Sequence, residues 1–354
     1  MIGRIGVLTA GGDAPGLNAA IRAVVRAAVA SHGFEVFGFR NGWRGVMAGE
    51  ARQLTTSSVQ GIVHRGGTIL GSSGADPYHE QGVDRVRTTV DDLRLDAIVA
   101  IGGEGTMGAA AQLASDGLPL VGVPKTIDND LSGTDACIGF ATAVQVATDA
   151  IDRLHTTAES HTRLMLVEVM GRSAGWIATH AGLAGGADTI LIPERPFDLD
   201  EVAARLKRRH DRGHSFSIVV VAEGAAPAEG TGIVGPELRL DERGFPRYGG
   251  ITYTIAPVIE SLTGWETRVT VLGHVQRGGS PVAVDRLLAT RLGEAAVDLV
   301  AAGGFGHMVA VQGDTIGRIA LSDASKVRPV PEDLIAVAEL FFEDPSLAEG
   351  STSA

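Results

Sequence analysis

The stretch Pro124-Lys125-Thr126-Ile127-Asp128-Asn129-Asp130-Leu131 crowds a lysine, a hydroxyl and two carboxylates into one short segment. It follows the apolar run 118–123, so a buried strand delivers both signs of charge to one rim. One carboxylate there can take a proton from an attacking hydroxyl while the other raises its pKa or orients the site. In an extended segment Asp128 and Asp130 would share a face. Lys125 can hold a phosphate as a point charge, and Thr126 can donate a hydroxyl hydrogen bond. Asp-Asn-Asp is also good turn chemistry, which explains the carboxylates but not Lys125 beside Thr126.

Two further stretches invite phosphate. Gly11-Gly12-Asp13-Ala14-Pro15-Gly16 lets backbone approach a ligand closely and aims a helix N-terminus at it. It has neither the dinucleotide spacing Gly-x-Gly-x-x-Gly nor the Gly-Lys-Ser/Thr end of a P-loop. A tight strand-to-helix turn accounts for it equally well. In Gly102-Gly103-Glu104-Gly105-Thr106 a carboxylate stands among glycines. Facing phosphates it would repel them unless it held the accompanying Mg²⁺. Otherwise Glu104 stabilises the helix that follows, by about 0.3–1 kcal/mol at an exposed site. Arg163, Arg172, Arg268 and Arg277 bracket predicted strand ends, where guanidinium groups match phosphate bidentately. Glu223 and His274 stand at similar ends and suit sugar hydroxyls. No second His or Cys lies at ligand spacing from His274, which argues against a metal there.

The elements that must position these groups repeat one unit: apolar strand, Gly-rich or polar turn, small-residue helix. Strands are predicted over Arg4–Thr9, Asp96–Ile101, Leu120–Val123, Leu164–Val169, Phe216–Ala222 and Arg268–Leu272. Helices are predicted from about Asn18 through Ala30, after Thr106 through Ala114, over Ala174–Gly182 and from Val284. Continuous β-branched runs alternating with helices indicate a parallel sheet covered on both faces. Ligands of such sheets bind outside the carboxyl ends of the strands. Residues 225–250 are expected to form a surface excursion and 349–354 a frayed tail.

Composition narrows the function classes. The chain has 354 residues, 44% of them hydrophobic and 20% charged, enough for about two domains with a sizeable core. With 30 Lys+Arg against 42 Asp+Glu the formal charge is −12 and no basic run occurs, which argues against nucleic acid. An anionic ligand is therefore attracted locally, by arginines or a metal. The single cysteine, Cys137, excludes a disulfide framework and a cysteine metal cluster. The chain opens on a strand-like run rather than a signal peptide, and no apolar segment spans a bilayer, so a cytoplasmic location and no membrane partner are expected.

Taken in order, the motifs resemble the phosphofructokinase family from residue 1 to about 340. They are Gly-Gly-Asp-Ala-Pro-Gly at 11–16, Gly-Gly-Glu-Gly-Thr at 102–106 and Pro-Lys-Thr-Ile-Asp-Asn-Asp at 124–130. Val-Glu-Val-Met-Gly-Arg at 167–172, Ala-Glu-Gly at 222–224 and Leu-Gly-His-Val-Gln-Arg-Gly-Gly at 272–279 complete the set. The resemblance implies two Rossmann-like three-layer α/β lobes with mostly parallel sheets and the site in the cleft between them. A phosphoryl-donor lobe would comprise 1–139 with 275–326, and a fructose 6-phosphate lobe 140–274 with 327–354. The family phosphorylates the 1-hydroxyl of fructose 6-phosphate. By resemblance Asp128 is the base, with Thr126 and Asp130 beside it, and Arg172 stabilises transition-state charge. Gly12, Gly103, Glu104, Gly105 and Thr106 would hold the donor, with Glu104 on Mg²⁺. Thr126, Ile127, Asp128, Met170, Gly171, Arg172, Glu223, His274, Val275, Gln276 and Arg277 would bind the sugar phosphate. Arg163 and Arg268 would reach its 6-phosphate from a neighbouring subunit, implying a homodimer or homotetramer.

Donor choice rests on positions 105 and 125. Pyrophosphate users of the family carry Asp and Lys there, most ATP users Gly and Gly; Gly105 with Lys125 is the mixed combination of an actinobacterial subgroup. Asp at 105 would occupy and repel the α-phosphate region of ATP, and Gly leaves it open, so ATP is the expected donor and pyrophosphate the alternative. The turn Leu70-Gly71-Ser72-Ser73-Gly74 lacks the arginine that relatives place near the transferred phosphate. That absence is the best support for a third reading, a non-catalytic sensor of sugar phosphate or nucleotide. Retention of Thr126, Asp128 and Asp130 argues for catalysis. Arg22 and Arg26 match two effector arginines, but His155 and Thr55 or Thr56 stand where others are expected. Control by ADP or phosphoenolpyruvate is therefore not expected.

Overall fold

The computed structural model describes residues 2–231 and 248–340. The part of the 225–250 excursion at 232–247 and the tail at 349–354 lie outside them. The chain divides into two compact units, Met1–Ala143 with Arg277–Arg328, and Val144–Gln276 with the residues from Pro329.

Eleven strands alternate with helices among the described residues. They are β1 (Arg4–Thr9), β2 (Glu35–Phe39), β3 (Ala51–Leu54), β4 (Ala97–Gly102), β5 (Leu120–Pro124), β6 (Leu164–Val169), β7 (Thr189–Leu191), β8 (Ser217–Ala222), β9 (Thr267–Val271), β10 (His307–Gln312) and β11 (Thr315–Ala320). The first unit holds a seven-stranded sheet, β11-β10-β5-β4-β1-β2-β3. It is parallel except where β10 meets β11 and β2 meets β3. The second holds a parallel four-stranded sheet, β7-β8-β6-β9.

Strand periodicity explains why β4 has no polar face. Ala97, Val99 and Ile101 enter one core with the helices Leu17–His32 and Ala283–Ala301. Ile98 and Ala100 enter the opposite core with Met107, Ala110 and Leu113 of the helix Glu104–Ser115. Both faces are covered, so apolar residues run without interruption, as the sequence pattern implied. β6 and β8 are buried along their whole length for the same reason.

Element ends differ from expectation for local reasons. β4 starts one residue late because the Asp96 carboxylate accepts the Gly3 and Arg4 amides at 2.6 and 2.9 Å. The predicted helix at 174 starts at Trp176, because Gly171 and Arg172 turn the chain with positive φ first. Glu104 belongs to the first turn of its helix; its extended N-cap is Gly103, and no side chain among the described residues caps it.

The sheet order locates the first unit's ligand edge. From β1 the chain moves to β2 on one side, while β4 and β5 lie on the other. The switch falls between β1 and β4, whose carboxyl ends carry the two glycine-rich stretches.

Candidate active site

At that edge of the first unit the Ala10 amide donates to Ile101 O at 3.0 Å, bringing the two glycine stretches side by side. The 70–74 turn closes over the first of them. Ser72 Oγ donates to Gly11 O at 2.5 Å, and the Gly11 amide donates to Ser73 O at 2.9 Å. The turn therefore orders the loop through neutral groups.

Lys125 follows β5 and is 3% exposed. Its ammonium donates to Ala10 O at 3.0 Å and Gly12 O at 2.6 Å. Its charge is thus engaged by two carbonyls of the first glycine-rich loop. Burial pushes its pKa down to about 8 and Arg277 adds to the effect, while Asp128 and Asp13 oppose it. Arg277, expected among sugar ligands, lies in this unit on the same loop. Its Nη1 donates to Asp13 O at 3.0 Å, and a Cβ on Gly12 would fall 2.5 Å from that nitrogen. Gly12 is needed for the arginine to approach. Two cations thus flank one loop, which offsets locally the net charge of −12.

The segment after Lys125 is a turn, and the extended geometry expected to put Asp128 and Asp130 on one face does not occur. Asn129 takes a left-handed conformation at φ 52°, which Asn tolerates better than most residues. Its Oδ1 accepts the Cys137 amide at 2.9 Å. Thr126 Oγ1 accepts the Asp128 amide at 3.1 Å. Thr126, Asp128 and Asp130 are buried, and Ile127 has no exposed surface. Asp128 Oδ1 is buried and, among the described residues, has no hydrogen-bond partner. Leaving such an oxygen unpaired costs about 1–3 kcal/mol, more if it is charged. A buried acceptor left open at a ligand edge is what a base awaiting a hydroxyl requires.

Glu104 is half-buried, and among the described residues its carboxylate has no partner. Among the described residues, a Cβ on Gly105 would meet nothing within 4 Å. Mg²⁺ commonly takes one or two carboxylates and completes its shell with phosphate and water. A single open carboxylate beside unfilled space fits that demand. No cluster of three metal-ligating residues occurs among the described residues.

The second unit gathers another set at the carboxyl ends of β6, β8 and β9. Glu223 Oε1 accepts the Gly171 and Arg172 amides at 3.2 and 2.9 Å. Arg172 is held at φ 54°, a conformation costly for arginine that this carboxylate secures. A Cβ on Gly224 would overlap the Arg172 carbonyl, which explains the glycine after Glu223. Met170 is buried, His274 and Val275 are exposed, and Gln276 is buried with Nε2 donating to Gly273 O at 3.1 Å. Arg163 and Arg268 lie at the opposite, amino edge of this sheet. Glu266 joins them: Arg163 Nε bonds it at 2.7 Å and Arg268 Nη2 bonds its other oxygen.

Sequence reasoning missed Arg328. Its guanidinium reaches Asn129 O, 199 positions away, and no local pattern announces the contact.

The Phosphofructokinase family model matches residues 4–300. The chain is 54% identical over 344 residues to a pyrophosphate–fructose 6-phosphate 1-phosphotransferase of Amycolatopsis methanolica, covering 96% of this chain and 99% of that one. It is 53% identical to ATP-dependent 6-phosphofructokinase 3 of Streptomyces coelicolor, covering 95% and 99%. Among solved structures, Pichia pastoris phosphofructokinase in the T-state matches with a TM-score of 0.81 and 33% identity over 99% of this chain and 41% of that longer one. The chain belongs to the phosphofructokinase family.

Proposed function

We propose that this chain transfers the terminal phosphoryl group of Mg-ATP to the 1-hydroxyl of fructose 6-phosphate, giving fructose 1,6-bisphosphate and ADP. The observation that carries the reading is the open Oδ1 of buried Asp128 beside two glycine-rich strand ends at a switch point. The names of relatives that cover nearly the whole chain support the substrate.

In this reading Asp128 takes the hydroxyl proton, Thr126 holds its backbone, and Asp130 completes the acidic pair. Gly12, Gly103, Gly105 and Thr106 hold the donor with their backbone and hydroxyl groups. Glu104 holds Mg²⁺, which supplies charge neutralisation on the phosphoryl oxygens when bound. Met170, Gly171, Arg172, Glu223, His274, Val275, Gln276 and Arg277 serve the sugar phosphate, and Arg172 stabilises the developing charge. Arg163 and Arg268 serve the 6-phosphate of a neighbouring subunit in a homodimer or homotetramer. No helix among the described residues is long and apolar enough to cross a membrane.

Open space around a Cβ at Gly105, among the described residues, supports ATP. A specific observation favours the second reading, pyrophosphate. The Lys125 ammonium, bonded to Ala10 O and Gly12 O, places a cation against the first loop, which suits a compact, highly charged donor. Initial rates with Mg-ATP and with Mg-pyrophosphate, each varied on one preparation, decide between them. ATP activity alone is expected. Pyrophosphate activity alone would reverse the donor, and no activity with either would remove the kinase reading.

A further inference from the structure

The acidic segment is held from a distant part of the chain. After Asp130 it forms a short antiparallel pairing with residues 326–328, through the bridge Leu131–Val327. The Ser132 amide donates to Lys326 O at 3.1 Å, and the Arg328 amide donates to Asp130 O at 2.6 Å. The Arg328 side chain then turns back over the preceding residue. Its Nε and Nη2 donate to Asn129 O at 3.3 and 3.1 Å, and Nη2 also donates to Asp135 O at 3.0 Å. Pro329 follows and disfavours helical backbone at Arg328, which keeps the residue extended for the pairing.

We infer that Arg328 is a positioning residue for the proposed base: it clasps the carbonyls of Asn129 and Asp130 and thereby fixes where the Asp128 carboxylate points. The geometry gives the reason. Asp128 is tied on its amino side by Thr126 Oγ1, at 3.1 Å to its amide. On its carboxyl side the chain passes through left-handed Asn129, whose carbonyl the two guanidinium nitrogens hold. Without them the peptide linking Asn129 to Asp130 can rotate, and the Asp128 Oδ1, without a hydrogen-bond partner among the described residues, loses its fixed direction. A planar fork serves Asn129 and Asp135 together, whereas a lysine ammonium on a flexible stem does so less well. A displacement of about 1 Å at a reacting group lowers turnover by about 100-fold.

The inference rests on the proposed kinase reading, and the test separates the two. Arg328→Ala and Arg328→Lys are assayed beside the wild-type chain with fructose 6-phosphate and the preferred donor. Calorimetry measures fructose 6-phosphate binding to each protein. For Arg328→Ala the expected result is a fall in kcat of about 10–100-fold with Kd for fructose 6-phosphate within threefold of wild type. Sub-denaturing guanidinium should restore part of that kcat, and Arg328→Lys should fall in between. If Arg328→Ala does not fold, Arg328→Lys decides: reduced kcat with unchanged binding supports the role. Wild-type kcat in a folded variant, or a loss of binding as large as the loss of turnover, overturns it. Wild-type protein inactive with both donors would instead refute the kinase reading.

Discussion

Burial of the Lys125 ammonium should be readable in the pH dependence of stability. In the folded chain its pKa falls to about 8, from an ordinary value of 10.5, first because it is buried and then because Arg277 is near. Between those values the unfolded chain binds a proton that the folded chain has released. Unfolding therefore becomes less favourable as pH rises through this window, by at most about 1.4 kcal/mol per pH unit. Across the whole window the gain is about 3 kcal/mol. Below about pH 8 both states carry the charge, and above about 10.5 neither does, so the dependence flattens at both ends. Lys125→Met keeps most of the stem and removes the titration. The assay is urea unfolding of wild type and variant from pH 7 to pH 10.5. Trp43, buried in the first unit, is the reporter, with Trp176 and Trp265 of the second unit replaced by Phe in both proteins. Groups common to the two proteins cancel in the difference. The difference should shift in favour of wild type by about 3 kcal/mol over the window. A pH-independent difference would refute the claim that burial, rather than pairing with Asp128 and Asp13, governs this lysine.

Two further outcomes follow from the same edge of the sheet. Asp128→Asn should lower kcat by about 100–10,000-fold while calorimetry still detects fructose 6-phosphate binding, and activity near wild type would dismiss Asp128 as base. Gly12→Ala places a methyl group 2.5 Å from Arg277 Nη1 and should drive the guanidinium off Asp13 O. A rise of about tenfold in donor KM at unchanged melting temperature is expected, roughly one charge-assisted hydrogen bond, and an unchanged KM would show that Arg277 does not organise the donor loop.

Much of the architecture is legible in the chain itself. Uninterrupted apolar runs such as 97–101 demand a strand covered on both faces, and glycines after Thr9 and Gly102 demand close backbone turns at its end. These are local constraints, and β1 and β6 occur where local pattern places them. The polar motifs at the strand ends are local too, which is why Asp128, Glu104 and Glu223 could be singled out by type and spacing. What became of those side chains was decided by partners far along the chain. Lys125 is bound to carbonyls 113 and 115 positions away. Arg277 crosses 264 positions to Asp13, and so joins the first glycine-rich loop of the first unit. Asn129 reads as a generic turn residue until Cys137 and Arg328 are seen to hold it. Hydrogen bonds of this range depend on how strands and helices stack, and a strand's alternation of buried side chains carries no record of which distant carbonyl a charged group will reach. Sequence alone determined the fold and the chemical vocabulary of the site; tertiary structure alone decided which cation supports which loop.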